Sequence, residues 1–235
     1  MRGLKKPVVV LSVLAAAVIC LAVFLPIYLL VFSRQQAAPA QRSSEERGQV
    51  LSLPPPPDAH AVIVETVEEA SKLLNAEAPV GLPTRIPEGL KYVKLMVLEG
   101  ETFYAFYSDE PMAETDNPFI LMYMQFGWVF NDVTGGPPKL TLIVIKLDPE
   151  SAAMAADLSV SEESARKYAD EFNLTMKIID GIPVFGYEPV KPKPFPLSPP
   201  IGVVHFYING LFYQIRTSLS FEEMVEIARS IIEQL

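Results

Sequence analysis

Few residues in this chain have the chemistry for catalysis. One cysteine, Cys20, and two histidines, His60 and His205, occur in 235 residues. A single cysteine excludes a disulfide framework and a cysteine-based zinc site. A Ser-His-Asp or Cys-His arrangement would have to draw on His60 or His205. His60 ends a proline-rich stretch. His205 falls in an alternating strand pattern, where a hydrogen-bonded histidine accounts for it. No HExxH, Walker A or GxGxxG spacing is present. Gly135-Gly136 is followed by Pro137-Pro138, which lack the amide protons that a phosphate cradle needs. Asp109, Glu110, Glu114 and Asp116 are acidic, yet they lack the glycine and the spacing of a calcium-binding loop. Glu162-Glu163 and Glu222-Glu223 suit first helical turns, where they complement the helix dipole. The expectation is no catalytic residue, no metal and no cofactor.

Binding chemistry is better represented. Phe119–Phe130 reads as a strand with Ile120, Met122, Met124, Phe126, Trp128 and Phe130 on one face. Phe119, Leu121 and Tyr123 lie on the other. Two apolar faces imply a strand covered on both sides, or one face lining a hydrophobic cleft. Met122, Met124 and Trp128 are the candidate ligand-binding residues, because methionine adapts to irregular shapes. Asn173-Leu174-Thr175 is a glycosylation sequon with Asn173 as acceptor. Pro189–Pro200 holds six prolines and reads as a stiff connection, with PxxP docking spacing as the alternative.

The elements that carry these residues come in a definite order. Residues 1–6 are basic and read as a cytoplasmic tail. Residues 7–33 are uncharged and apolar, long enough to cross about 30 Å of hydrocarbon. Arg2, Lys5 and Lys6 before this segment place the N-terminus in the cytoplasm and the rest outside. It reads as an uncleaved signal anchor. A cleaved signal peptide ending near Ala38-Pro39-Ala40 is the alternative. Cys20 lies mid-span without the small preceding residue of a lipoprotein signal. Residues 34–60 form a proline-rich linker, with Pro54–Pro57 consecutive.

Residues 61–235 read as one extracytoplasmic domain. Residues 1–47 hold six of the 19 basic and two of the 28 acidic residues, so residues 48–235 carry 13 and 26, net −13. Such a balance argues against nucleic acid and against lying flat on an anionic membrane. Half of the chain is hydrophobic, which excludes a disordered solvating chain.

Within the domain, Ala61–Glu65 reads as a short strand. Thr66 and Glu69 form a capping box for a short helix bearing Val67, Ala70 and Leu74. Tyr92–Leu98 and Thr102–Tyr107 make a hairpin. Leu140–Leu147 is a further strand. Ser161 caps a helix to Phe172. Thr175–Ile179 and Ile182–Tyr187 pair across Asp180-Gly181. Val203–Ile208 and Leu211–Thr217 pair across Asn209-Gly210 in a type I′ turn, setting His205 opposite Gln214. Ser220 and Glu223 open an amphipathic final helix. The fold class is α+β: a curved antiparallel sheet packed with about three helices, after the transmembrane helix.

Two segments carry a resemblance. Val64–Ala70, continuing through Ala78-Pro79-Val80 to Ile86-Pro87-Glu88-Gly89-Leu90, is one. Ile208–Tyr213, through Leu219–Met224 to Ile227-Ala228-Arg229-Ser230, is the other. Together they resemble an uncharacterised extracytoplasmic domain family found after a single membrane span, including in anti-sigma-factor-like proteins. The resemblance implies a sheet wrapped against helices, similar in outline to lipoprotein-carrier and sigma-regulator sensor domains. It transfers no catalytic residue. The six-residue tail leaves no room for a cytoplasmic sigma-binding domain. The chain also departs from the family in its longer middle, Asp109–Phe130 and Asp148–Ser161, and in Pro189–Pro200.

The functional expectation is a non-enzymatic binding or sensing domain held outside the membrane by residues 7–33. Its partner would be a lipid-like apolar ligand or an envelope protein. A structural or assembly role through protein contacts is the alternative, and a hydrolase using acidic residues is a third.

Overall fold

The structure is a computed structural model that describes residues 57–130, 132–191 and 199–235. The expected tail, the expected membrane span with Cys20, and most of the linker lie outside the described residues. Pro56–Leu235 forms one compact unit.

Three turns set the sheet. Glu99-Gly100, Asp180-Gly181 and Asn209-Gly210 each place two successive residues at positive φ. Glycine adopts that region without strain, and Asn and Asp tolerate it. The last two are two-residue turns joining paired strands, the geometry that matches strand twist. Eight strands result: β1 (Val62–Val64), β2 (Tyr92–Leu98), β3 (Thr102–Ser108), β4 (Leu140–Lys146), β5 (Thr175–Ile179), β6 (Ile182–Val190), β7 (Ile201–Ile208) and β8 (Leu211–Thr217). Their order across one antiparallel sheet is β1-β2-β3-β4-β8-β7-β6-β5. Each half of the chain thus contributes a four-strand meander, and the two halves meet where β4 pairs with β8.

Single rows can be traced across all eight strands, and the one irregularity in the described pairings is a register shift of β6 against β7 between Tyr187 and Val190. Val64, Leu95, Ala105, Leu142, Ile215, Val204, Gly186 and Thr175 form one row. Ile63, Met96, Tyr104, Ile143, Gln214, His205, Phe185 and Met176 form the row beside it, on the opposite face. The first face is almost wholly apolar. Helix α1 (Val67–Leu73) and the C-terminal helix α5 (Phe221–Ile232) close it, burying Ala70, Leu74, Phe221, Met224, Ala228 and Ile231 against Phe103, Leu142, Phe206 and Tyr213. Truncating one of the large side chains to alanine costs about 2–5 kcal/mol. The α5 capping box is complete: Ser220 Oγ accepts from Glu223 N, and Glu223 Oε2 accepts from Ser220 N. At α1, Glu69 N donates to Thr66 Oγ1, while Glu69 Oε2 accepts from Glu65 N, one residue before the cap.

The second face corrects two expectations. Phe119–Phe130 is not a strand. Helix α2 (Pro118–Gln125) occupies its first part, with Phe126 as its C-cap. Asn117 Oδ1 accepts from Phe119 N at 3.0 Å, and Pro118 follows the cap. An N-cap asparagine followed by proline is a helix-start signal, and it outweighs the strand reading of an unbroken apolar run. Helix α3 (Pro149–Val160) begins the same way, with Asp148 accepting from Glu150 N and Ser151 N ahead of Pro149. Helix α4 (Glu162–Glu171) follows, capped by Ser161 as its sequence indicates. The domain therefore carries five described helices rather than three. Helix α2 packs over Met96, Tyr104, Phe106 and Ile143, and α4 packs over Phe185.

Candidate functional site

Between these covers, β7 and β8 carry a strip of mixed character on the second face. Val203, His205 and Tyr207 alternate on β7, paired with Arg216, Gln214 and Phe212 on β8. Tyr187 of β6 pairs with Val203 and joins the strip. Tyr187 is 40% exposed, His205, Tyr207, Phe212 and Gln214 are half-buried, and Arg216 is buried.

His205 is ringed by aromatic side chains. Phe185 stacks on it at 5.6 Å, Phe212 lies at 5.6 Å, and Tyr168 and Tyr207 stand edge-on at 6.3 Å. Tyr168 comes from α4, so helix and sheet build the enclosure together. His205 Nε2 is sealed and has no hydrogen-bond partner among the described residues. Burial pushes the imidazole down to about 4, which keeps it neutral at physiological pH. A ring whose pKa is lowered this far is a weak proton acceptor. The expected hydrogen-bonded strand histidine is thus half right: its position is correct, and its Nε2 is unsatisfied.

At the other end of the strip the polar groups hold the architecture together. Arg216 Nε donates to Gln214 Oε1 at 2.7 Å, and Nη1 lies 3.9 Å from Met122 Sδ. Gln125, at the end of α2, donates from Nε2 to the Arg216 carbonyl at 3.1 Å and accepts from Thr141 Oγ1 at 2.9 Å. These bonds clamp α2 to the β4–β8 junction. Burial pushes the Tyr104 phenol up to about 12, and the Arg216 charge opposes that rise. Burial also raises Tyr187, again against Arg216. One buried cation therefore acts on tyrosines to either side of it.

The sequence candidates are dispersed. Met122 and Met124 are both buried on α2, but two helical steps set them about 200° apart, so they do not share one face. Trp128 lies beyond α2 and packs edge-on to Tyr123 at 4.9 Å. Met122 touches the strip, through Arg216. Asn173 is exposed at the end of α4, at φ 52. Sequence reasoning missed Tyr187, Tyr207, Phe212 and Arg216. The available signal was the β7–β8 hairpin register, which places Tyr207, Phe212 and Arg216 on the His205 face.

Other groups are accounted for. Asp116 accepts from His60 Nδ1 at 2.8 Å, and this bond raises the histidine and lowers the carboxyl. Asn117 Nδ2 donates to Pro57 O at 2.8 Å and Ala61 N donates to Asp116 O at 2.9 Å, so this loop clasps the start of the domain. An open depression of about 370 Å³ lies beside Ser71, Asn75 and Glu77, where Ser71 Oγ is engaged by Val67 O and Val80 N. Among the described residues, no three His, Cys, Asp or Glu side chains group to hold a metal, and no helix is long and apolar enough to cross a membrane. No family model, curated protein or solved structure matches this chain.

Proposed function

We propose that this chain is a non-enzymatic binding or sensing domain, anchored by residues 7–33 and displayed outside the membrane, whose β7–β8 strip takes an apolar, lipid-like ligand. The strip carries this reading. Tyr187, Tyr207 and Phe212 remain half-covered around a neutral His205, on a sheet face that α2, α3 and α4 cover in part. Aromatic surface with a few polar groups at one end is the usual lining of a ligand site. The relevant residues supply contact area and orientation, and none supplies a nucleophile or a proton. Full-length protein taken from native-host membranes and analysed by native mass spectrometry would carry an extra mass that organic extraction removes. A bare chain in repeated preparations would overturn the reading.

Exposed strand edges favour envelope assembly as a second reading. The three residues of β1 pair with only Leu95–Val97 of β2, leaving Tyr92 and Val93 beyond its reach. Val62 and Ile63 are each 55% exposed. An open edge beside exposed aliphatic side chains suits addition of a partner strand. Crosslinking in native membranes would recover that partner.

A further inference from the structure

We infer that Asn173 is an N-glycosylation site and that its glycan shields the β5 edge of the sheet. This rests on the reading above that the domain is exported.

The geometry presents the sequon. Asn173 follows α4, takes φ 52, and reverses the chain into β5. The Leu174 amide closes the helix by donating to Ala169 O at 2.8 Å, which leaves the Asn173 side chain outside the helix end. Asn173 and Thr175 are both exposed, and Leu174 between them packs inward beside Phe185. Thr175 pairs with Gly186 on β6. Glycine has no side chain there to cover the threonine hydroxyl. Gly186 cannot easily be otherwise, because a Cβ would lie 2.2 Å from the Val203 carbonyl oxygen. Asn173 and Thr175 are thus both accessible at a chain reversal.

The second observation is what lies next to it. β5 is the outermost strand on its side of the sheet. Phe172 is 46% exposed and Ile178 is 44% exposed at its two ends. An open edge with exposed apolar side chains invites pairing with another chain, and proteins commonly cover such edges. A glycan on Asn173 stands at the entry to this strand and covers it.

The donor is a lipid-linked oligosaccharide phosphate or diphosphate, used by a membrane oligosaccharyltransferase. Asn173 Nδ2 attacks the anomeric carbon of the first sugar. The Nδ2–C1 bond forms, the C1–O bond to phosphate breaks, and the lipid phosphate leaves with the electron pair. One amide proton passes to the enzyme's base.

The test uses full-length protein from its native host. Trypsin releases Tyr168–Lys177, which contains the sequon. The expected result is this peptide carrying a sugar mass on Asn173, lost completely in Thr175→Val, which keeps a β-branched residue in the strand. Asn173→Gly, which tolerates the positive φ, should lose it too. Protease accessibility on sealed cells reports the side of the membrane. An exported domain with an unmodified peptide overturns the glycan and leaves the binding function standing. A protected, cytoplasmic domain overturns both.

Discussion

Part of this domain's acid sensitivity should come from one residue, and His205→Leu should remove that part. Burial holds the folded imidazole at about 4, against 6.5 in the unfolded chain. Between these values the unfolded chain binds a proton that the folded chain refuses. Stability is therefore lost as pH falls through 6.5 and the loss levels off below about 4. Integrated over that window, the depression corresponds to about 3 kcal/mol, of which about 2 kcal/mol is gone by pH 5. At neutral pH the substitution should leave stability unchanged or raised, because it removes an unsatisfied buried nitrogen. Urea unfolding of residues 57–235 at several pH values from 7.5 to 4 reads this directly. Asp116, Asp148 and Glu223 have lowered pKa values and lose stability in acid as well, but they do so in both proteins. The difference between wild type and His205→Leu isolates the histidine. Superimposable pH profiles would refute the reasoning.

Asn117→Ala removes both the α2 cap and the bond to Pro57 O, and should cost about 2 kcal/mol in denaturant unfolding. Gly186→Ala drives a Cβ toward the Val203 carbonyl oxygen and should cost about 1–3 kcal/mol or prevent β6–β7 pairing, seen as a lowered Tm. The His60–Asp116 bond contributes most between the two pKa values. The His60 share is fully present below 6.5 and is lost as pH rises through its raised value. The Asp116 share is present above 3.8 and is lost as pH falls through its lowered value. The protection factor of the Ala61 amide, which donates to Asp116 O, should be highest inside that window, and His60→Ala should flatten its pH profile.

What the sequence made legible was local. Asn209-Gly210 fixed the β7–β8 register, because a two-residue turn with both φ positive admits one pairing. Ser220 and Glu223 fixed the start of α5 for a similar reason. Phe119–Phe130 misled because periodicity cannot separate a doubly buried strand from a buried helix. Asn117-Pro118 and Asp148-Pro149 resolve that ambiguity through cap chemistry rather than hydrophobic pattern. The strip itself was only half visible. The pairing of His205 with Gln214 follows from the hairpin, but Phe185 and Tyr168 reach the imidazole from β6 and α4. No short-range pattern encodes that meeting.

The most direct test of the binding claim is site-specific photocrosslinking in native-host membranes. Benzoylphenylalanine replaces Phe212 in the strip or Val129, which is 85% exposed and not among the residues of the strip. The account predicts a covalent lipid adduct on the peptide containing position 212 and none on the peptide containing position 129. Equal labelling at both positions, or no lipid at position 212, would contradict it.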